Sequence, residues 1–193
     1  MNNKAVQTYI ISNYLNNKLV LNNSEVLIDH FDYEIFDHKI HADLLMIKSQ
    51  QNDADTLFLC SNIVIGVNLL DIFFSNTLNI DHLYIDSMKV DIIKSDNDDL
   101  NNINYILSKL SSFNQDIILS HFNINELIID HKNYFVENIS LSTNLFQIKK
   151  DYLNIENIKL SKDNSLINAH CLISNNLIEI DIQDSYLQNI DSS

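Results

Sequence analysis

The chain has 193 residues, 46% of them apolar, with 12 basic against 26 acidic side chains and a formal net charge of −14. Length and apolar share suit one domain with a core and argue against a compositionally disordered chain. The acidic balance argues against a nucleic-acid partner and against an electrostatic hold on anionic headgroups, so any lipid contact would run through acyl chains.

There is one glycine, Gly66, and no proline. The chain holds 29 asparagines, several in pairs such as Asn22-Asn23 and Asn175-Asn176. Asparagine tolerates left-handed backbone and bonds its own chain, so it can punctuate turns. Its abundance alongside Ile, Lys, Asp and Tyr is also what an AT-rich coding sequence produces, and is read as composition first.

In chain order, residues 4–15 place Val6, Tyr9, Ile10 and Tyr14 near helical spacing and predict an N-terminal helix. "VLIDHFDY" (26–33) then introduces a phrase with apolar side chains at its first, third, sixth and eighth places. The phrase returns as "FLCSNIVI" (58–65), "LNIDHLYI" (78–85), "FNINELII" (122–129), "YFVENISL" (134–141) and "LNIENIKL" (153–160). Places one and three share a face of a strand. The two-residue gap that follows would flip the face unless the chain bulges, kinks or turns there. On a helical wheel the four positions scatter, so helix is excluded. The starts have no constant period, so the chain is not a solenoid of equal repeats.

The expected fold is mainly β. It is an elongated, twisted and curled antiparallel sheet with an apolar concave face, an N-terminal helix and a second short helix near 100–112. That second helix follows the polar loop "SDNDD" (95–99), with Asp99 as N-cap and Leu100, Ile103, Ile106, Leu107 and Leu110 at helical spacing. "NLLDIFFS" (68–75) reads as a short helical turn between strands. Residues 1–193 read as a single domain.

Sites of chemistry are few. No serine stands in a nucleophile elbow, and a single glycine cannot build a phosphate-cradling loop. His38 and His41 lie near His30 and several aspartates, but three residues apart on a strand they point to opposite faces, which argues against a shared metal. Asp29-His30 and Asp81-His82 fill the same polar slot of the phrase, as expected of a solvated bulge rather than a catalytic dyad. Cys60 and Cys171 sit in apolar strand text and form no motif. The longest apolar run, 63–74, is too short to span a bilayer and carries Asp71. The expectation is no enzyme, no cofactor and no metal.

The segment "TLNIDHLYIDSMKVDIIKSDNDDLNNINYIL" (77–107) resembles the N-terminal region of the AsmA-like superfamily, the TamB and YhdP-type proteins. Leu78, Ile80, Leu83, Ile85, Val90 and Ile92 fall in that family's apolar slots, and Leu100, Ile103 and Ile106 in the helix that follows. The opening "AVQTYIISNYLNNKLVLNNSEVLI" resembles the YhdP-type start. The likeness covers roughly residues 4–160, in apolar spacing rather than identities; the family's usual glycine, tryptophan and proline are absent from the corresponding places.

This resemblance implies a lipid-binding β-groove segment, the N-terminal piece of a longer β-groove envelope protein. Such a protein moves phospholipid between inner and outer membranes. It would be periplasmic and held to the inner membrane by an anchor missing here, with phospholipid acyl chains as partner. The groove would be lined by Ile63, Ile65, Leu78, Ile80, Leu83, Ile85, Ile124, Ile129, Ile139, Leu141, Ile155 and Ile158. The alternative is a structural or adhesive β module whose apolar face closes into a core and takes no ligand.

Overall fold

In a computed structural model of the chain, the residues described are 5–9, 12–13, 24–34, 36–49, 56–67, 75–92, 116–131, 134–149, 152–174 and 177–186. Residues 5–9 and 12–13 are helical. Twelve strands follow: β1 (Ser24–Asp29), β2 (Asp32–Glu34), β3 (Lys39–Ser49), β4 (Thr56–Val67), β5 (Thr77–Ile92) and β6 (Asp116–Leu119), then β7 (Phe122–His131), β8 (Tyr134–Thr143), β9 (Leu145–Lys149), β10 (Tyr152–Lys162), β11 (Ser165–Ser174) and β12 (Leu177–Tyr186). The expected helix near 100–112 lies outside the described residues, as does the expected turn at 68–75 apart from Ser75.

All twelve strands belong to one sheet; five copies of the phrase each lie within one strand, and the first, 26–33, runs from β1 through His30-Phe31 into β2. β6 and β7 run on as one broken strand beside β5, and β8 and β9 as another beside β10. The sheet therefore runs from β1 and β2 at one edge through β3, β4, β5, β6–β7, β8–β9, β10 and β11 to β12 at the other. The expectation of a wholly antiparallel sheet is corrected at one place. β5 pairs with β6 and β7 in parallel, and every other neighbouring pair is antiparallel. A parallel neighbour needs a crossover of a dozen residues or more, and residues 93–115 provide that length.

Register shows what the phrase does. In β3, β4, β5 and β7 two residues, not one, separate successive side chains of the apolar face: Asp43-Leu44, Ser61-Asn62, Asp86-Ser87 and Asn125-Glu126. These pairs stand side by side, because the ladders run from Ala42↔Ile63 to Leu44↔Ser61, from Ile63↔Ile85 to Ser61↔Ser87, and from Ile85↔Ile124 to Ser87↔Glu126. They form a transverse seam across the sheet, and Asp29-His30 extends it past β1. A second seam crosses Asp81-His82, Ser120-His121, Asn144-Leu145 and Glu156-Asn157.

Each seam advances the two-residue alternation by one, so apolar side chains return to the same side. Some strands do this with a left-handed residue at the second polar place. His30, Asn62, Asn138 and Asn157 have φ of 49°, 49°, 59° and 52°. Three of the four are asparagine, the side chain that best tolerates that region after glycine. Others absorb the extra residue as a bulge, as at Asp81, where the ladder steps from Gly66↔His82 to Val67↔Ile80.

Gly66 is explained at that bulge. A Cβ built on it would lie 2.3 Å from Cε1 of the His82 ring, which occupies the space a side chain would fill. Replacing Asn157, exposed and left-handed, tests the seam. Asn157→Gly should hold or raise stability, whereas Asn157→Val should lose about 1–2 kcal/mol, both read from urea midpoints.

Candidate functional site

Residues directly opposite in paired strands point to the same face, so the register assembles that face row by row. One row runs Ala42–Ile63–Ile85–Ile124–Leu141–Leu160–Ile167, from β3 to β11. On one side of it, across the first seam, lie Ile28–Leu45–Cys60–Met88–Leu127–Ile139 and then Val26–Ile47–Phe58–Val90–Ile129–Val136. On its other side lies Tyr33–Ile40–Ile65–Leu83–Phe122–Thr143, continued by Ile158–Ala169–Ile182. Beyond the second seam come Val67–Ile80–Leu119–Phe146–Ile155–Cys171–Ile180 and Leu78–Ile117–Ile148–Leu153–Ile173–Ile178.

Thr143 is the one polar member, and it is buried. Its hydroxyl donates to the carbonyl of Glu156 at 2.5 Å and is 3.0 Å from that of Leu145, so the second seam satisfies it.

All twelve residues assigned to a groove from sequence stand in these rows, but their exposure divides them. Ile63, Ile85 and Ile124 are 6%, 6% and 2% exposed, and with Ala42 and Cys60 they form a sealed cluster beside the first seam. Ile65, Leu78, Ile80, Leu83, Ile129, Ile139, Leu141, Ile155 and Ile158 are half-buried. Exposure rises toward the far edge, where Ile178, Ile180 and Ile182 are 50%, 63% and 60% exposed.

Sequence reading missed several row members. "IHADLLMI" (40–47), "LYIDSMKV" (83–90) and "IILSHFNI" (117–124) are further copies of the phrase. The last two share residues with a copy already read, and the first has alanine in an apolar slot.

The opposite face is polar along the first seam. Tyr84 alternates with Leu83 and Ile85, so it points away from the rows. Its hydroxyl donates to Asp86 Oδ1 at 3.4 Å and contacts Asn125. Asn125 and Asn62 donate to the Asp86 carboxylate, each at 3.2 Å. These donors, Asn62 first and then Asn125, hold the Asp86 carboxyl below its ordinary 3.8. A cleft of about 370 Å³ beside it is lined by Asn125, Glu126, Asn138, Ser140, Ser161 and Asp163, all polar and unsuited to an acyl chain.

The histidines are dispersed. His30 Nδ1 lies 3.1 Å from Asp29 and 3.3 Å from Asp43, all three exposed. His41 faces Glu34 at 3.7 Å, and His38, left-handed in the β2–β3 turn, stands 3.5 Å from the Tyr33 hydroxyl. Among the described residues no group of three or more His, Cys, Asp or Glu side chains could hold a metal ion. Both cysteines are free, and burial pushes the Cys60 thiol up to about 12. No helix among the described residues is long and apolar enough to cross a membrane.

Comparison with protein-family models, with curated proteins and with solved structures finds no match for this chain.

The Asp86 network gives a pH test. A carboxylate whose folded pKa is depressed contributes stability above its unfolded pKa and loses it as pH falls through the folded value. Asp86→Asn should therefore be less stable than wild type at pH 7, and the two should converge as pH falls below 3.8. Denaturant midpoints across that range provide the measurement.

Proposed function

We propose that this chain is a lipid-binding sheet whose apolar face holds phospholipid acyl chains. The observation that carries the reading is the continuity of the rows. Two seams would each turn half of the side chains outward, yet apolar residues return to one side on strand after strand. A stripe serving only as local core would not need to continue to the exposed Ile178, Ile180 and Ile182 at the far edge. Apolar surface left to water costs roughly 25 cal/mol per Å², so a half-buried face of this extent favours an apolar occupant. Headgroups would stay at the open side, because burying an unpaired phosphate costs far more than solvating it.

The resemblance to the AsmA-like superfamily extends the proposal. In that setting the sheet is one segment of an inner-membrane-anchored, periplasmic conduit carrying phospholipid between two membranes. It conducts no reaction, and its work is to shield acyl chains from water. A second reading has one specific observation in its favour: Cys60, Ile63, Ile85 and Ile124 are already sealed as core. They support the bend, and the half-buried residues beyond them are the binding surface.

Cys171 reports on this directly. It stands between Ile155 and Ile180 on the face and is half-buried, whereas Cys60 lies in the sealed cluster. Phospholipid loading should slow alkylation of Cys171 severalfold and leave Cys60 unreactive throughout. Equal Cys171 rates with and without lipid would contradict the proposal.

Two substitutions separate binding from folding. Ile80→Asp, on the half-buried face, should abolish lipid protection of Cys171 while the chain still unfolds cooperatively. Ile85→Asp, in the sealed cluster, should cost several kcal/mol and unfold the sheet, as seen by circular dichroism.

A further inference from the structure

β5 and β6 are parallel neighbours, so the chain between Ile92 and Asp116 must return from one end of β5 to the other across one face of the sheet. Hydrogen bonds fix which side of β5 its parallel neighbour occupies. The amide of Leu83 donates to the carbonyl of His121 at 2.8 Å, and the carbonyl of Ile80 accepts from the amide of Ser120 at 2.9 Å. Leu83 and Ile80 both belong to the apolar rows, so residues pointing to that face turn their peptide groups toward β6 and β7. In an extended strand of L-residues running upward, a side chain aimed at the viewer has its own N–H and C=O on the viewer's right. Seen from the apolar face with β5 running up, β6 and β7 therefore lie on its right.

Connections between parallel strands of one sheet are right-handed in about 98% of cases. With the second strand on the right, a right-handed connection passes in front. We infer that residues 93–115 cross the apolar face of the sheet and lay Leu100, Ile103, Leu107 and Leu110 on the rows of β5 and its neighbours. The length of chain agrees. The way back from Ile92 to Asp116, which stands opposite Thr77, is roughly 50 Å at about 3.3 Å per residue. With 100–110 helical, as their spacing predicts, and the rest extended, the connection reaches about 60 Å, so its path follows the strand.

The two faces differ in what they offer such a segment. Ala42, Cys60, Ile63, Ile85 and Ile124 are 7%, 1%, 6%, 6% and 2% exposed, and the described side chains packed against them all belong to the rows, beside them in the same layer. A second layer over them is what the crossing chain supplies. On the opposite face the same apolar stripe would lie on Tyr84, Asp86 and Asn125 and strip water from the Asp86 carboxylate. A helix about 10 Å wide covers about two strands, so the half-buried rows beyond it remain for the acyl chains proposed above. The side of the crossing follows from strand topology and does not rest on the lipid reading.

The test is photo-crosslinking in the full, lipid-free chain with p-benzoylphenylalanine placed at position 107, the adducts being mapped by mass spectrometry of the peptides. Adducts should fall on row residues of β4, β5 or β7, such as Leu83, Met88 or Leu127. Adducts on Tyr84, Asp86 or Asn125 instead, or none on the rows, would overturn the inference. A second measurement uses Cys60 beneath the proposed crossing. The double variant Ile103→Asn, Leu107→Asn should keep its β circular dichroism while Cys60 is alkylated severalfold faster than in wild type. A folded variant with an unchanged Cys60 rate would also overturn it, and if the variant fails to fold the crosslinks decide. Neither readout involves lipid, so a chain that binds none leaves both expectations standing.

Discussion

Every feature of this molecule depends on the two-residue alternation of a β-strand. A strand with a single added residue turns its remaining side chains to the other face. Ten-residue and longer strands such as β4, β5 and β10 meet this problem mid-length, where the phrase places two polar residues in a row. The structure solves it by placing those insertions side by side. Because β3, β4, β5 and β7 all add their residue in one line, the ladders on either side remain in register. A lone insertion would have broken pairing on both flanks; a shared one bends the sheet. Bulges add right-handed twist and local bending, so lines of bulges such as these seams favour a curved sheet.

The seams also separate the duties of the two faces. On the row side they carry Thr143, satisfied by carbonyls released at the break. On the other side the first seam gathers Asn62, Asp86 and Asn125 into a hydrogen-bonded line across three strands. That line ties neighbouring strands together where the backbone ladder is interrupted. Gly66 and His82 make a comparable adjustment at the second seam, the imidazole lying where a side chain on residue 66 would be. The one glycine is thus spent on a close approach, and left-handed backbone is left mainly to asparagine and histidine.

Much of this was legible in the residues, and the limits have physical causes. Apolar spacing is local, so the strands carrying Leu78, Ile80, Leu83 and Ile85, or Ile155 and Ile158, could be read directly, including the break at the polar pair. Copies were missed where one strand crosses both seams, because Leu83 and Ile85 close one phrase and open the next. Strand order is not local. Nothing in "FNINELII" says that it lies parallel to β5, and the side-by-side alignment of seams exists only after pairing. Burial is also a property of the assembly: Ile85 and Ile80 read alike in sequence, yet one is sealed beneath the first seam and the other half-buried beyond the second. The helix expected near 100–112 falls outside the described residues.

The central claim is that the continuous apolar face has an apolar occupant. Mass spectrometry of an organic extract from the purified, natively folded chain tests it most directly. The account predicts phospholipid at near one or more molecules per chain, released only on denaturation. A chain that is monomeric, cooperatively folded and free of lipid, even after exposure to phospholipid vesicles, would contradict it and make the face a closed structural core.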